Sequence, residues 1–181
     1  MIDLKTALDR CTQQILPSRE EFEKAVSSRK LTIYHGVDPT GPDLHLGHST
    51  NYLLMRALQD AGHKVILLFG NFTAQIGDPS DKSATRRRLT KEEIEGHFKT
   101  YKQQVAKILD FDGENPVEVR FNADWLSKLT FENVIELAAE FTVQQIIERD
   151  VFQKRIAEQK PLYLHEFLYP LAQGYDSIAL E

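Results

Sequence analysis

Cysteine is nearly absent from this sequence. Cys11 stands alone among 181 residues, so no disulfide within the chain can hold the fold, which must rest on a hydrophobic core. Long apolar runs are missing too: nothing approaches the ~18 consecutive residues of a membrane-spanning helix. The opening Met1-Ile2-Asp3-Leu4-Lys5 places an acid where a secretory signal has basic and then apolar residues. Together these absences point to the cytoplasm. An excess of positive charge is also lacking, since the formal net charge is −5. Proteins that hold RNA by general electrostatic attraction are more often basic. Any RNA contact must therefore use a local patch or parts outside this chain. Neither internal repeats nor low-complexity segments occur.

What is present is an ordinary globular balance, 41% apolar and 27% charged, with length for about one domain. Helical patterns cover residues 4–14 and 18–27, divided by Pro17, and Ser18 with Glu21 gives the second a capping-box signature. Leu31-Thr32-Ile33-Tyr34 reads as a strand. A turn-rich stretch from Gly36 to Asp43 leads into a helix over 48–61, where Leu53, Leu54, Ala57 and Leu58 recur at helical spacing before Gly62 ends it. Lys64-Val65-Ile66-Leu67-Leu68-Phe69 is apolar in the manner of a strand covered on both faces. Residues 70–88 read as a long polar loop. Thr90 and Glu93 announce a helix to about 109. Val117-Glu118-Val119-Arg120-Phe121 is a third strand, and helices are expected over 131–141, 143–157 and 165–175. Strands alternating with helices through short joins predict an α/β fold, a parallel sheet flanked by helices. Such folds bind ligands where strand carboxyl ends meet helix starts.

The segment from Tyr34 to His48 lies at such a place. His45 and His48 are three apart at a helix start, so their imidazoles can share a face. That helix end offers unpaired backbone N–H groups and a partial positive charge, which suit a phosphate. Gly47 removes a side chain between the histidines and lets a flat ring such as adenine approach the backbone. Two imidazole donors and the Thr40 hydroxyl can then stabilise charge developing on phosphate oxygens. Two histidines at this spacing can equally be surface residues or metal ligands. Zinc would want further ligands, and no recognisable set lies nearby.

His45-Leu46-Gly47-His48 resembles the HIGH signature of class I aminoacyl-tRNA synthetases and related nucleotidyltransferases, with Leu in place of Ile. Two later segments narrow the likeness to the bacterial tyrosyl-tRNA synthetase family. The first is Gly77-Asp78-Pro79-Ser80-Asp81-Lys82-Ser83-Ala84-Thr85-Arg86, read physically as a turn with one carboxylate followed by a basic stretch. A solvated loop is the plain alternative. The resemblance implies that Asp78 holds the α-ammonium of tyrosine and that Lys82 and Arg86 close over departing pyrophosphate. Asp81 stands where many relatives have glycine, which stiffens the loop and adds a negative charge.

The second is Tyr169-Pro170-Leu171-Ala172-Gln173-Gly174-Tyr175-Asp176. Tyr169, Gln173 and Asp176 form one stripe of a helix, at i, i+4 and i+7. Phe167, Leu168, Leu171 and Ala172 around it are core candidates. Polar groups on a largely buried helix need partners, which a ligand with an ammonium at one end and a hydroxyl at the other supplies; internal satisfaction is the alternative. The stripe resembles the tyrosine-binding helix of the family. On that reading Tyr169 and Gln173 join Asp78 around the ammonium, and Asp176 and Tyr34 reach the phenol oxygen. Asn122, at the end of the third strand, is either a pocket-lining residue or a structural one. The resemblance further implies ATP contacts at His35, Gly36, Asp38, Gly47 and Asn51, with Mg²⁺ carried on the ATP phosphates and no metal held by the protein.

The likeness runs from about Lys30 to Glu181 and implies a Rossmann-like (HUP-type) sheet with an incomplete second half. The chain is then the first half of a class I catalytic domain, with a helical insertion at 125–164 that forms a homodimer face. The apolar positions Val134, Ile135, Leu137, Ala138, Val143, Ile146, Ile147 and Phe152 fit that interface and an ordinary core alike. The closing half of the fold and the anticodon-binding domain are expected to be absent, and so is the KMSKS loop, since neither Met1 nor Met55 is followed by serine. The implied activity is tyrosine–tRNA ligation: tyrosine and ATP give tyrosyl-adenylate, and tyrosine passes to tRNA(Tyr), with weak or no activity from this chain alone. Two alternatives remain open: a non-catalytic tyrosine- or RNA-binding fragment or paralogue, and another HIGH-motif nucleotidyltransferase.

Overall fold

A computed structural model of the chain describes residues 2–39, 41–76 and 90–181. In chain order the elements are α1 (Leu4–Cys11), α2 (Arg19–Ser28), β1 (Thr32–Val37), α3 (Leu46–Asp60), β2 (Lys64–Phe69), α4 (Thr73–Ile76) and α5 (Lys91–Val105). There follow β3 (Glu118–Phe121), α6 (Ala123–Leu126), α7 (Phe131–Ala139), α8 (Val143–Ile147), α9 (Asp150–Ala157), a 3₁₀ turn at Leu164–Phe167, and α10 (Leu168–Ala179). They divide into two compact units, Met1–Phe69 with Glu92–Arg120, and Gly70–Lys91 with Phe121–Glu181.

The first unit is built on a three-stranded parallel sheet ordered β1–β2–β3. β1 pairs β2 from Thr32 opposite Lys64 to Val37 opposite Phe69. This order matches one half of a doubly wound nucleotide-binding fold. The central strand explains its own sequence: Val65, Ile66, Leu67, Leu68 and Phe69 are at most 2% exposed, and each contributes roughly 1.5–3 kcal/mol by burial. Phe69 meets Phe98 and Tyr101 of α5 edge to face, at centroid distances of 4.7 and 6.2 Å. α1 packs on α3. Gly62, at φ +82°, turns the chain from α3 into β2, a conformation that costs a Cβ-bearing residue more. Ser18 caps α2, its hydroxyl accepting from Glu21 N at 3.2 Å, the first of the two bonds of the expected capping box.

The second unit is helical. α10 packs against α4 and α7, and Phe152 of α9 is fully buried against Phe167; Phe152 is thus core rather than interface. Arg155 and Glu166 form an ion pair at 2.8 Å with both side chains nearly buried, which ties α9 to the segment leading into α10.

Several expected helices are shorter or divided. The span 165–175 becomes a 3₁₀ turn followed by α10, because Pro170 has no N–H and its ring would clash with the Glu166 carbonyl in a continuous α-helix. The span 143–157 splits at Arg149, whose backbone is extended (φ −62°, ψ 133°). Thr142 starts α8 with a capping box to Gln145, and Thr130 does the same for α7 with Asn133. The loop expected over 70–88 contains α4, and residues 77–89 lie outside the described residues.

Candidate functional site

The β1–α3 turn places its histidines through the helix end itself. His45 is the N-cap of α3, and its Nδ1 accepts from Gly47 N at 3.1 Å. His48 reaches back, its Nδ1 accepting from His45 N at 3.1 Å. Two of the orphan donors of the helix start are thereby satisfied, as in a capping box with imidazoles as acceptors. The rings stack at a centroid distance of 3.9 Å and 28°. An Nδ1 that accepts a backbone N–H carries no proton, so each neutral ring holds its hydrogen on Nε2. Neither Nε2–H has a protein partner among the described residues. Burial, and then the neighbouring charge of His45, lowers the His48 pKa. The pair therefore sets two Nε2 atoms side by side.

The space left by Gly47 is taken by the His45 imidazole. A Cβ there would lie 2.9 Å from His45 Cε1 and 3.0 Å from Nδ1, closer than carbon atoms tolerate. Above Gly36 nothing among the described residues lies within 4 Å of such a Cβ, so none of them demands glycine at that exposed strand position. His35 sits half-buried in β1, edge-on to Tyr52 at 5.6 Å. Its pKa is lowered by burial and by His48. Tyr34 and Asp38 are partly buried in and just after β1, and Asn51 is exposed on α3 one turn beyond Gly47. Thr40, Asp78, Lys82 and Arg86 lie outside the described residues.

Pro39, Pro42 and Leu44 are bound by α5. His97 Nδ1 donates to the Pro39 carbonyl at 2.8 Å. Gln104 Nε2 donates to the Pro42 carbonyl at 2.8 Å, while its Oε1 accepts from Leu44 N at 2.9 Å.

In the second unit the stripe of α10 grades from half-buried Tyr169 through exposed Gln173 to buried Asp176, 5% exposed. Trp125 Nε1 donates to Asp176 Oδ1 at 2.8 Å, and Asn122 Nδ2 donates to Oδ2 at 3.3 Å. Asn122 is itself 1% exposed. Its Nδ2 also donates to Thr73 Oγ1 at 3.0 Å, and its Oδ1 accepts from Phe72 N at 2.9 Å. Asn71 Oδ1 in return accepts from Ala123 N at 2.9 Å, so the two post-strand turns lock each other. Asn122 thus orients Asp176 with every one of its polar atoms engaged. Burial raises the Asp176 pKa, opposed by the donors from Trp125 and Asn122. A carboxylate with two lone-pair sites on each oxygen still has acceptor capacity after two such bonds.

Trp125, Thr73, His97 and Gln104 were not singled out from sequence. Only Trp125 left a trace, as a lone tryptophan whose N–H needs a partner once its ring is buried. Among the described residues no group of three or more His, Cys, Asp or Glu side chains is placed to hold a metal ion, and no helix is long and apolar enough to cross a membrane.

Comparison with known proteins gives this geometry its setting. A curated tyrosine–tRNA ligase of Trichormus variabilis is 49% identical over 164 residues, covering 90% of this chain and 41% of its own length. One from Xylella fastidiosa is 48% identical over 173 residues, covering 96% and 41%. The chain therefore spans about two fifths of the length of these relatives. Among solved structures, a C-terminally truncated Aspergillus nidulans mitochondrial tyrosyl-tRNA synthetase superposes with a TM-score of 0.82 at 21% identity, over 97% of this chain and 53% of that one. Tyrosyl-tRNA synthetase from Archaeoglobus fulgidus, complexed with L-tyrosine, gives 0.65 at 21% identity, over 99% and 53%. At such identities these two show the shared Rossmann-like fold. Residues 26–181 match the family described as tRNA synthetases class I (W and Y), the letters standing for tryptophan and tyrosine. The chain belongs to that class I tRNA synthetase family.

Proposed function

We propose that this chain carries the adenylate-forming part of a tyrosine–tRNA ligase. The observation that carries the reading is the seating of Asp176: a buried carboxylate, held by two donors, with acceptor capacity to spare. A substrate phenol donates to the remaining acceptor sites of such a group, whereas phenylalanine brings no donor to them. The names of the curated relatives support the same amino acid.

Tyr34 joins Asp176 at the phenol oxygen, and Tyr169, Gln173 and Asp78 serve the α-ammonium. His45 and His48, with Thr40, donate to phosphate oxygens of ATP. His35, Gly36, Asp38, Gly47 and Asn51 complete the nucleotide contacts. Lys82 and Arg86 attend the pyrophosphate, and Mg²⁺ rides on the ATP phosphates. A carboxylate oxygen of tyrosine attacks the α-phosphorus. The new P–O bond forms as the bond to pyrophosphate breaks, and the electron pair leaves with pyrophosphate. No side chain has to gain or lose a proton, so positioning and charge stabilisation carry the rate. The terminal adenosine of tRNA(Tyr) then takes the tyrosyl group and AMP departs. The compartment is the cytoplasm.

The same reading assigns a homodimer to the region 125–164. Its support is the exposed apolar side chains there: Phe131 is 80% exposed, Val143 68%, and Ile135 55%.

Tyrosine-dependent exchange of labelled pyrophosphate into ATP tests the activity. Exchange is expected, and His48→Ala should slow it more than it weakens tyrosine binding. Equal losses in both would contradict the role given to His48. Tyrosine binding without any exchange would make the chain a binding module rather than a catalyst.

A further inference from the structure

Pro39 and residues 41–44 belong to no helix or strand, so their backbone polar groups must find partners elsewhere. α5 supplies them. His97 and Gln104 are seven residues apart, two turns along one face of the helix. His97 takes the Pro39 carbonyl, and Gln104 takes both the Pro42 carbonyl and the Leu44 amide. A third bond, from Gln104 Nε2 to the Thr100 carbonyl at 3.1 Å, fixes the amide to its own helix. The helix is anchored, since Ile94, Tyr101 and Val105 on it are at most 5% exposed.

Leu44 immediately precedes the cap. Its N–H is bound by Gln104, while the next N–H, that of His45, is bound by His48. Two consecutive amides are thus held by two different helices. The peptide that carries His45 cannot rotate without breaking one of these bonds, and the imidazole caps depend on that peptide.

We propose that Gln104 and His97 are positioning residues for the His45–His48 pair. They fix the entry to α3 so that both Nδ1 atoms keep their backbone bonds and both rings present Nε2–H to phosphate. The benefit to phosphate rests on the nucleotide role proposed above; the effect on the tautomers does not.

The test uses the chain as it stands, with two readouts. Long-range nitrogen–proton spectra at neutral pH report the tautomer of each histidine, and titrations report ATP and tyrosine affinity. In the wild type His45 and His48 are expected as single Nε2–H tautomers. Gln104→Met should give mixed tautomers at both rings and weaken ATP about tenfold, the size of one lost charge-assisted hydrogen bond, with tyrosine affinity unchanged. Gln104→Glu keeps an acceptor for Leu44 N and should restore the spectra in large part. Unaltered tautomers in Gln104→Met, whatever its melting temperature, would overturn the proposal and leave Gln104 a structural residue. If the wild type binds no ATP while the spectra respond as described, the positioning role stands and the nucleotide assignment fails. Should Gln104→Met not fold, His97→Phe breaks the other end of the same clamp and is read in the same two ways.

Discussion

His45 and His48 are held by partners within three residues, whereas Asp176 is held by Trp125 and Asn122, more than fifty residues away. The first arrangement is largely exposed and made of one helix end. The second is buried, acidic and made from the meeting of α4, α6 and α10. A phosphate site can be built locally because a helix start supplies partial charge and here also seats the two imidazoles. A site for a single hydroxyl needs an acceptor kept dry, and dryness requires other parts of the chain to surround it.

Removing the distant donor is the sharpest way to break this contrast. Trp125→Phe leaves Asp176 Oδ1 without its partner at 2.8 Å and should weaken tyrosine binding about tenfold, as for a hydrogen bond to a charged group. ATP binding should be unchanged, which parallel titrations would check; a loss of ATP binding of equal size would mean that the two clusters are not separately built. The local cluster has its own counterpart. Gly47→Ala drives a Cβ against the His45 ring and should weaken ATP severalfold, with tyrosine binding intact. Its effect on melting should be small, since the lost cap costs about 1 kcal/mol and alanine returns about as much in helix propensity.

Acidity separates the regions in sign. His35, His48 and His63 of the first unit all have pKa values lowered from 6.5, with burial the leading cause. Between the lowered values and 6.5 the unfolded chain binds more protons than the folded one. Their contribution to stability is therefore whole above about 6.5 and declines as pH falls through the lowered values. Asp176 has a raised pKa, so its burial is favoured in acid and disfavoured once pH exceeds the raised value. Amide exchange across mildly acidic pH should show the first unit loosening on acidification, with α10 around Asp176 unaffected or tightened. Loosening of both together would show that another set of groups controls acid sensitivity.

The same contrast explains what could be read from sequence. The pairing of His45 and His48 at a helix start, the Ser18 cap and the buried strand β2 are written in residues close together, where spacing and side-chain type decide the outcome; that the imidazoles take two backbone N–H groups expected to be unpaired was not legible. Asp176 was legible as one member of a polar stripe, but Trp125 and Thr73 were not, because no periodicity links residues that meet only after folding. Gln104 lies 60 residues from Leu44 and looks like any polar position on an amphipathic helix. The division of the last helical span was legible in principle. Pro170 forbids a continuous helix from 165, and the apolar pattern around it conceals the break.

Calorimetry with tyrosine and phenylalanine, on the wild type and on Asp176→Leu, tests the central claim most directly. The account predicts that the wild type binds tyrosine and rejects phenylalanine. The substitution should abolish that preference by weakening tyrosine while phenylalanine binds no worse. Equal binding of both amino acids by the wild type, or a tyrosine preference that survives the loss of Asp176, would contradict it.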